Sequence, residues 1–169
     1  MQRNRAMVRI VLIRHAKSSW SDPEVQDIDR PLNRRGRLAS TLMGTWLKDE
    51  SIALDQVWLS PAMRSAETFA HMGVEPTLET QTHKALYMAD PNTILNILRS
   101  TPAQAGTAAV IGHQPGLSSF ARKLADGSQS QAEGRAFTKF PTGGVAIFDC
   151  DVEAWADVKF GQARFVTFV

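Results

Sequence analysis

Five short apolar runs punctuate the chain, separated by segments whose apolar positions recur every third or fourth residue. The β-branched run VRIVLI at 8–13 predicts a strand buried on both faces. DQVWL at 55–59 and TAAVIG at 107–112 read the same way, and VAIF at 145–148 and RFVTFV at 164–169 supply two closing strands. Leu38, Leu42 and Trp46, with Ala39, Met43 and Leu47, have the i, i+4 spacing of an amphipathic helix, and Asn33 suits its N-cap. Ser60 followed by Pro61 predicts the capped start of a helix running to about His71, with Gly73 as its C-terminal cap. Asp90-Pro91 opens a helix carrying Ile94, Leu95, Ile97 and Leu98. Leu117, Phe120, Ala121 and Leu124 mark another, closed by Gly127.

Three stretches carry no such period. Residues 77–87 fit a short strand followed by irregular chain, and 128–139 read as a polar loop. Residues 17–30 form a polar stretch long for a connection, and such loops often carry function. Residues 1–6 are expected to fray, and Met1 or Met7 fits the start. Strands alternating with helices predict an α/β protein: a three-layer α/β/α sandwich with a mostly parallel central sheet. The closing pair of strands, with no helix between them, predicts an antiparallel edge strand. A length of 169 residues suits a single domain spanning 1–169.

Composition narrows the class. With 43% apolar and 21% charged residues the chain reads as an ordinary globular domain. Nineteen Lys and Arg against 17 Asp and Glu leave +2, which gives no reason to expect nucleic acid as a partner. No apolar run approaches the ~18 residues of a membrane span, and no apolar segment follows Arg3 and Arg5 as in a secretory signal. A cytoplasmic location is therefore expected, without membrane attachment. The single cysteine, Cys150, excludes an internal disulfide framework and a multi-cysteine zinc site. A monomer is compatible with all of this.

Three of the predicted strands end in candidate chemistry. The first ends in Arg14-His15, the second leads through Ser60-Pro61 to Arg64, and the third ends in Gly112-His113. In an open α/β sheet, ligands bind beyond the carboxyl ends of the strands, so these side chains can converge on one crevice. Arginine suits phosphate because its planar fork donates bidentate, always-charged hydrogen bonds. Histidine offers a neutral nitrogen nucleophile near pH 7, and neighbouring arginines favour that neutral form. Taken singly, an Arg-His pair is a surface pair, Ser-Pro-x-x-Arg a helix start and Gly-His-x-Pro a turn. Their ordered placement at three strand ends is what points to a phosphate site.

The same residues carry a family resemblance. Leu12-Ile13-Arg14-His15-Ala16 resembles the signature of the histidine phosphatase superfamily, which has the phosphoglycerate-mutase-like fold. Leu32-Asn33-Arg34-Arg35-Gly36, Ser60-Pro61-Ala62-Met63-Arg64-Ser65-Ala66-Glu67-Thr68 and Gly112-His113-Gln114-Pro115 are similar to its later elements, in order. The stretch from His15 to Trp20, then Asp29-Arg30-Pro31-Leu32 and Thr142-Gly143-Gly144, most resembles the SixA-type phosphohistidine phosphatase branch. The resemblance implies His15 as the nucleophile that accepts the phosphoryl group, with Arg14, Arg64 and His113 binding its oxygens. Water then hydrolyses the phosphoenzyme, and neither metal nor cofactor is implied. The implied partner is a phosphoprotein carrying phosphohistidine in a phosphorelay or phosphotransferase system. A small activated phosphate or phosphomonoester is the alternative substrate, and a non-catalytic phosphate-binding module is the alternative class.

Two departures bear on the substrate. Ala16 stands where the superfamily commonly has glycine, a small-for-small exchange. The mutase and phosphomonoesterase branches carry a general-acid glutamate in a Leu-x-Glu element, whereas this chain has Leu86-Tyr87-Met88. Expelling an alkoxide needs a proton donor. The weak P–N bond of a phosphoramidate needs less help, so the missing glutamate points to phosphohistidine. Asp22, Asp27, Asp29 and Asp90 are the carboxylates that can substitute, each also readable as a loop or capping residue. Ser18 and Ser19 can donate to phosphate, with Ser18 taken as a substrate-binding residue. Lys17, Trp20, Arg34 and Arg35 can form a basic, partly aromatic rim, or simply a solvated surface. Asp29 and Arg30 are expected to pair or cap within the loop rather than act in chemistry. His71 is read as structural or exposed, His83 in its irregular segment is not taken as catalytic, and Cys150 is read as a small buried residue.

Overall fold

The computed structural model describes residues 6–169. The expected fraying at the start concerns mainly residues 1–5, which lie outside the described residues. A six-stranded sheet runs through the molecule in the order β3-β2-β4-β1-β5-β6. Its strands are β1 (Val8–Arg14), β2 (Gln56–Leu59), β3 (Glu79–Thr82), β4 (Thr107–Gly112), β5 (Val145–Cys150) and β6 (Ala163–Phe168). β1 to β4 pair in parallel, while β5 pairs antiparallel with both β1 and β6. The expected antiparallel closure at one edge is therefore present.

Helices cover both faces, as strands buried on both sides require. On one face α1 (Arg34–Asp49) and α2 (Met63–Met72) pack through Met43, Leu47 and Met72 on Val11, Ile13, Val57, Ile111 and Ile147. On the other, α3 (Pro91–Arg99), α4 (Gly116–Leu124) and α5 (Gln131–Lys139) pack on Ile10, Leu12, Val110 and Phe148. Alternate β1 residues serve opposite cores, which is the period of a strand. Asn33 caps α1 by accepting from the Gly36 amide, and Asp90 caps α3 by accepting from the Thr93 amide, both as expected.

Two helix expectations need correction. Residues 131–139 form α5, not a loop. Its signal is the capping box in which the Ser130 hydroxyl accepts from the Glu133 amide and the Glu133 carboxylate accepts from the Ser130 amide. The polar outer face of this one-sided helix hid it. Second, α2 begins at Met63 after an N-cap at Ala62 that has no side-chain hydrogen bond. Ser60 is not the cap: it lies two residues before Ala62, whose amide donates to its hydroxyl. Gly127, with φ +89°, lies beyond the α4 C-cap at Ala125.

Candidate active site

The parallel register of β2, β4 and β1 brings three strand ends side by side. The His15 amide donates to Gly112 O at 3.1 Å, and the Ser60 amide donates to Ile111 O at 3.1 Å. His15, Ser60 and His113 therefore sit just past adjacent strand ends. The turn before β5 locks this edge, because the Gly143 amide donates to the carbonyls of Arg14 and His15 at 3.2 and 3.1 Å. Gly143 has φ +75°, a left-handed conformation that glycine adopts without strain. Thr68, one helical turn after Arg64, accepts from the Ala16 amide at 2.9 Å and donates to Arg64 O at 2.6 Å. It ties the segment that carries His15 to α2.

Arg14, His15, Arg64 and His113 line a cavity of about 280 Å³ together with Lys17, Ser18, Trp20, Asp27, Arg30, Met88, Gln114 and Thr142. The four expected site residues thus converge: Arg14, His15, Arg64 and His113. The two imidazole centroids are 5.2 Å apart. His15 Nδ1 lies 2.7 Å from Ala16 O, and a carbonyl can only accept. Nδ1 must therefore carry the proton, which leaves Nε2 with its lone pair free. Arg64 Nε donates toward that nitrogen at 3.3 Å. Burial chiefly pushes His15 down to about 4, with the charges of Arg64, Arg14 and Arg30 adding to the shift, so the ring is neutral at pH 7. His113 is pushed down to about 3, by burial first and then by His15 and Arg64.

Ser60 Oγ sits 2.6 Å from His113 Nε2 and accepts from the Ala62 amide at 3.3 Å. With the hydroxyl donating to Nε2, His113 holds its proton on Nδ1. That nitrogen is buried without a hydrogen-bond partner among the described residues, as is Arg14 Nε. Arg14 Nη1 is anchored on Phe140 O at 2.9 Å. Burial and the nearby Arg64 charge lower the Arg14 pKa from its ordinary value, the sign of two cations crowded together. In that tautomer of His113, two buried donors without partners and crowded cations suit an oxyanion.

Asp27 is the residue whose role the sequence reading left open. Its Oδ1 accepts from Arg30 Nε and Nη2 at 3.2 and 3.0 Å, and its Oδ2 accepts from Arg64 Nη2 at 3.0 Å and from the Tyr87 hydroxyl. Its backbone carbonyl also accepts from Arg64 Nη1 at 2.6 Å. The Tyr87 hydrogen bond foremost, then those from Arg30 and Arg64, hold its carboxyl well below the usual carboxylate range. Asp27 is therefore an ionised clamp on Arg64. Tyr87 also meets His113 edge-on at 5.6 Å between centroids, and the Asp27 contact raises its own pKa. Sequence reasoning missed Tyr87 as a site residue and found Asp27 only as one of four carboxylates. The available signal was Asp27 three residues before Arg30 in a polar loop.

The other carboxylates stand elsewhere. Asp22 accepts from the Glu24 amide, Asp90 caps α3, and none of Asp22, Asp29 and Asp90 lines the cavity. Arg30 pairs within the loop as expected, its partner being Asp27. Ser18 does line the cavity, but its hydroxyl accepts from Arg30 Nη1 at 2.6 Å, which makes it an anchor for that arginine. His71 is exposed late in α2, and His83 accepts from the Ala85 amide and meets Trp58 edge-on, both outside the cavity. Cys150 is buried, and its thiol is pushed up to about 11, foremost by burial. Among the described residues no cluster of three or more His, Cys, Asp or Glu is placed to hold a metal ion. No described helix is long and apolar enough to cross a membrane.

This arrangement places a neutral imidazole among cationic donors at the carboxyl edge of an α/β sheet, a chemistry suited to a phosphoryl group. Residues 10–87 match the model of the histidine phosphatase superfamily, branch 1. An uncharacterised protein of Mycobacterium leprae is 34% identical over 161 residues, covering 92% of this chain and 98% of that one. An uncharacterised protein of Mycobacterium tuberculosis is 36% identical over 158 residues, covering 92% and 98%. The structure of a protein assigned as a phosphohistidine phosphatase SixA from Nakamurella multipartitia superposes with TM-score 0.85 and 29% identity, over 96% of this chain and 95% of that one. A tungstate complex of the protein histidine phosphatase SixA superposes with TM-score 0.78 at 21% identity, over 96% of each chain, and shows the shared fold. The chain belongs to the histidine phosphatase superfamily and is a phosphatase. Within that superfamily it falls in the SixA-type branch.

Proposed function

We propose that this phosphatase removes the phosphoryl group from phosphohistidine on a protein, through a covalent intermediate on His15. The observation that carries the reading is the pairing of an unprotonated His15 Nε2 with an oxyanion cradle that lacks an available proton donor. Phosphoryl transfer is mostly positioning and charge stabilisation, and the guanidinium groups of Arg14 and Arg64 supply that charge. His15 Nε2 attacks phosphorus, and Arg14, Arg64 and His113 Nδ1 bind the equatorial oxygens. The P–N bond of the substrate breaks, and its electron pair returns to the departing ring nitrogen. A phosphohistidine protonated on its other nitrogen then leaves as neutral imidazole. His15 keeps its Nδ1 proton on Ala16 O throughout. Water next attacks phosphorus of phospho-His15 and takes both its protons into the released dihydrogen phosphate.

No group near the cavity favours an ester substrate. Asp27 is ionised against two arginines, and the Tyr87 hydroxyl already donates to Asp27. An alkoxide leaving group would find neither free to donate. The experiment compares kcat/KM for a phosphohistidine peptide and for p-nitrophenyl phosphate, with His15→Ala as reference. A large preference for the peptide is expected, with His15→Ala lower by on the order of 10³-fold or more. A preference for the ester would move the assignment to a small-molecule phosphatase. Retained activity in His15→Ala would remove the nucleophile assignment.

A further inference from the structure

The cavity has a polar floor and a different mouth. Trp20, 77% exposed, and Met88, 54% exposed, both line it, and both are large apolar side chains turned toward water. A single exposed tryptophan is ordinary. This one is held in place by a buried framework. The guanidinium of Arg30 lies over the indole at 3.5 Å. Arg30 is itself only 7% exposed, and it is fixed by Asp27 Oδ1, by Ser18 Oγ at 2.6 Å and by Ser19 O at 3.3 Å.

The backbone around Trp20 is pinned as well. The Ser19 amide donates to Pro31 O at 2.8 Å, the Asn33 amide donates to Lys17 O at 3.0 Å, and Ser18 bridges Leu32. Trp20 therefore stands on a short ribbon whose two ends are tied together. Met88 adopts φ +54°, the left-handed region that a residue with a side chain rarely visits, directly after Tyr87, which grips Asp27. The same carboxylate thus orients Arg64 over His15 and Arg30 under Trp20. His15, through Arg64, and the indole, through Arg30, are held in one frame.

We propose that Trp20 is a specificity-determining residue, its free face, with Met88, receiving a planar heteroaromatic leaving group as the phosphoryl group sits below. Arg30 covers one face of the indole, so the other remains for stacking. Offset stacking on an indole favours a flat ring and gives little to an aliphatic amine or ammonia. An imidazole bearing a positive charge gains further from the ring face. The identity of the ring as imidazole rests on the phosphohistidine reading above. Its planarity does not.

The test uses the full chain with Trp20→Leu and Trp20→Phe, first checked for unchanged thermal melting. Substrates are a phosphohistidine peptide and the phosphoramidate ion, whose leaving group is ammonia. Trp20→Leu is expected to lose about 10-fold or more in kcat/KM on the peptide, mainly through KM, and little on phosphoramidate, while Trp20→Phe keeps most activity. Equal losses on both substrates would show that Trp20 only props Arg30 and would overturn the proposal. No loss on the peptide would overturn it too. Should the wild-type enzyme turn over neither P–N substrate, the phosphohistidine reading fails. The role of Trp20 is then decided by the same contrast between p-nitrophenyl phosphate and acetyl phosphate, neither of which needs a proton donor: selective loss on the aryl ester supports it, and equal loss overturns it.

Discussion

His15 and His113 are two imidazoles that burial keeps uncharged at neutral pH, at about 4 and about 3. In an unfolded chain each titrates near ~6.5. Below that pH the unfolded state takes up protons that the folded state refuses. Their contribution to stability is therefore fully present above about 6.5 and declines as pH falls toward 4. We expect the urea midpoint to drop over that interval, and imidazole NMR signals of the two rings to show no titration near 6.5. A midpoint near 6.5 for His15 would contradict the burial argument. Asp27 belongs to the same scale. Asp27→Asn removes the charge that aligns Arg64 while leaving the backbone carbonyl that accepts from Nη1. A small misplacement of such a group costs up to about 10²-fold, so kcat/KM is expected to fall by about 10- to 100-fold with melting little changed. Unchanged kinetics would show that the carbonyl alone positions Arg64.

Helices α1 and α2 cross at Gly44, where an added Cβ would lie 1.8 Å from Met72 O. Backbone cannot yield as a side-chain tip does. In a solvent-facing helix Gly→Ala would gain up to about 1 kcal/mol. Here Gly44→Ala is expected to destabilise by about 1–3 kcal/mol, lowering Tm by several degrees, because the helices must separate. An unchanged or raised Tm in a calorimetric scan would show that the crossing can relax. Gly36 does the same for the site loop, since its Cβ would meet Lys17 O at 2.1 Å. The spacing of Leu38, Leu42 and Trp46 made α1 legible as a helix but did not say which of them are buried. Leu38 and Leu42 are more than half exposed, and the buried seam runs through Met43, Gly44 and Leu47. The reason is that a period names a face, while only the neighbouring helix decides how much of that face is covered.

Across the whole molecule, Arg14, Arg30 and Arg64 gather beyond the carboxyl ends of β1 and β2, and one carboxylate, Asp27, pairs with two of them, Arg64 and Arg30, among the described residues. Arg14 has no ion pair among the described residues. An oxyanion that binds only the folded state should stabilise it by mass action, by about 2.7 kcal/mol at 100 times its Kd. Vanadate is expected to raise Tm in the wild-type protein and much less in Arg64→Ala. Equal shifts in both would place the anion elsewhere. The sequence by itself determined the alternation of strands and helices, and hence the layered α/β architecture. It also determined the strand-end residues Arg14, His15, Arg64 and His113, because each follows a local apolar run at a fixed offset. Tertiary structure decided the rest. It joined Asp27 to Tyr87 across 60 positions, brought the Ser60 hydroxyl to His113, and set Arg30 against the Trp20 ring. Those contacts depend on side-chain distances between elements far apart in the chain. Local periodicity and capping propensity carry no information about them.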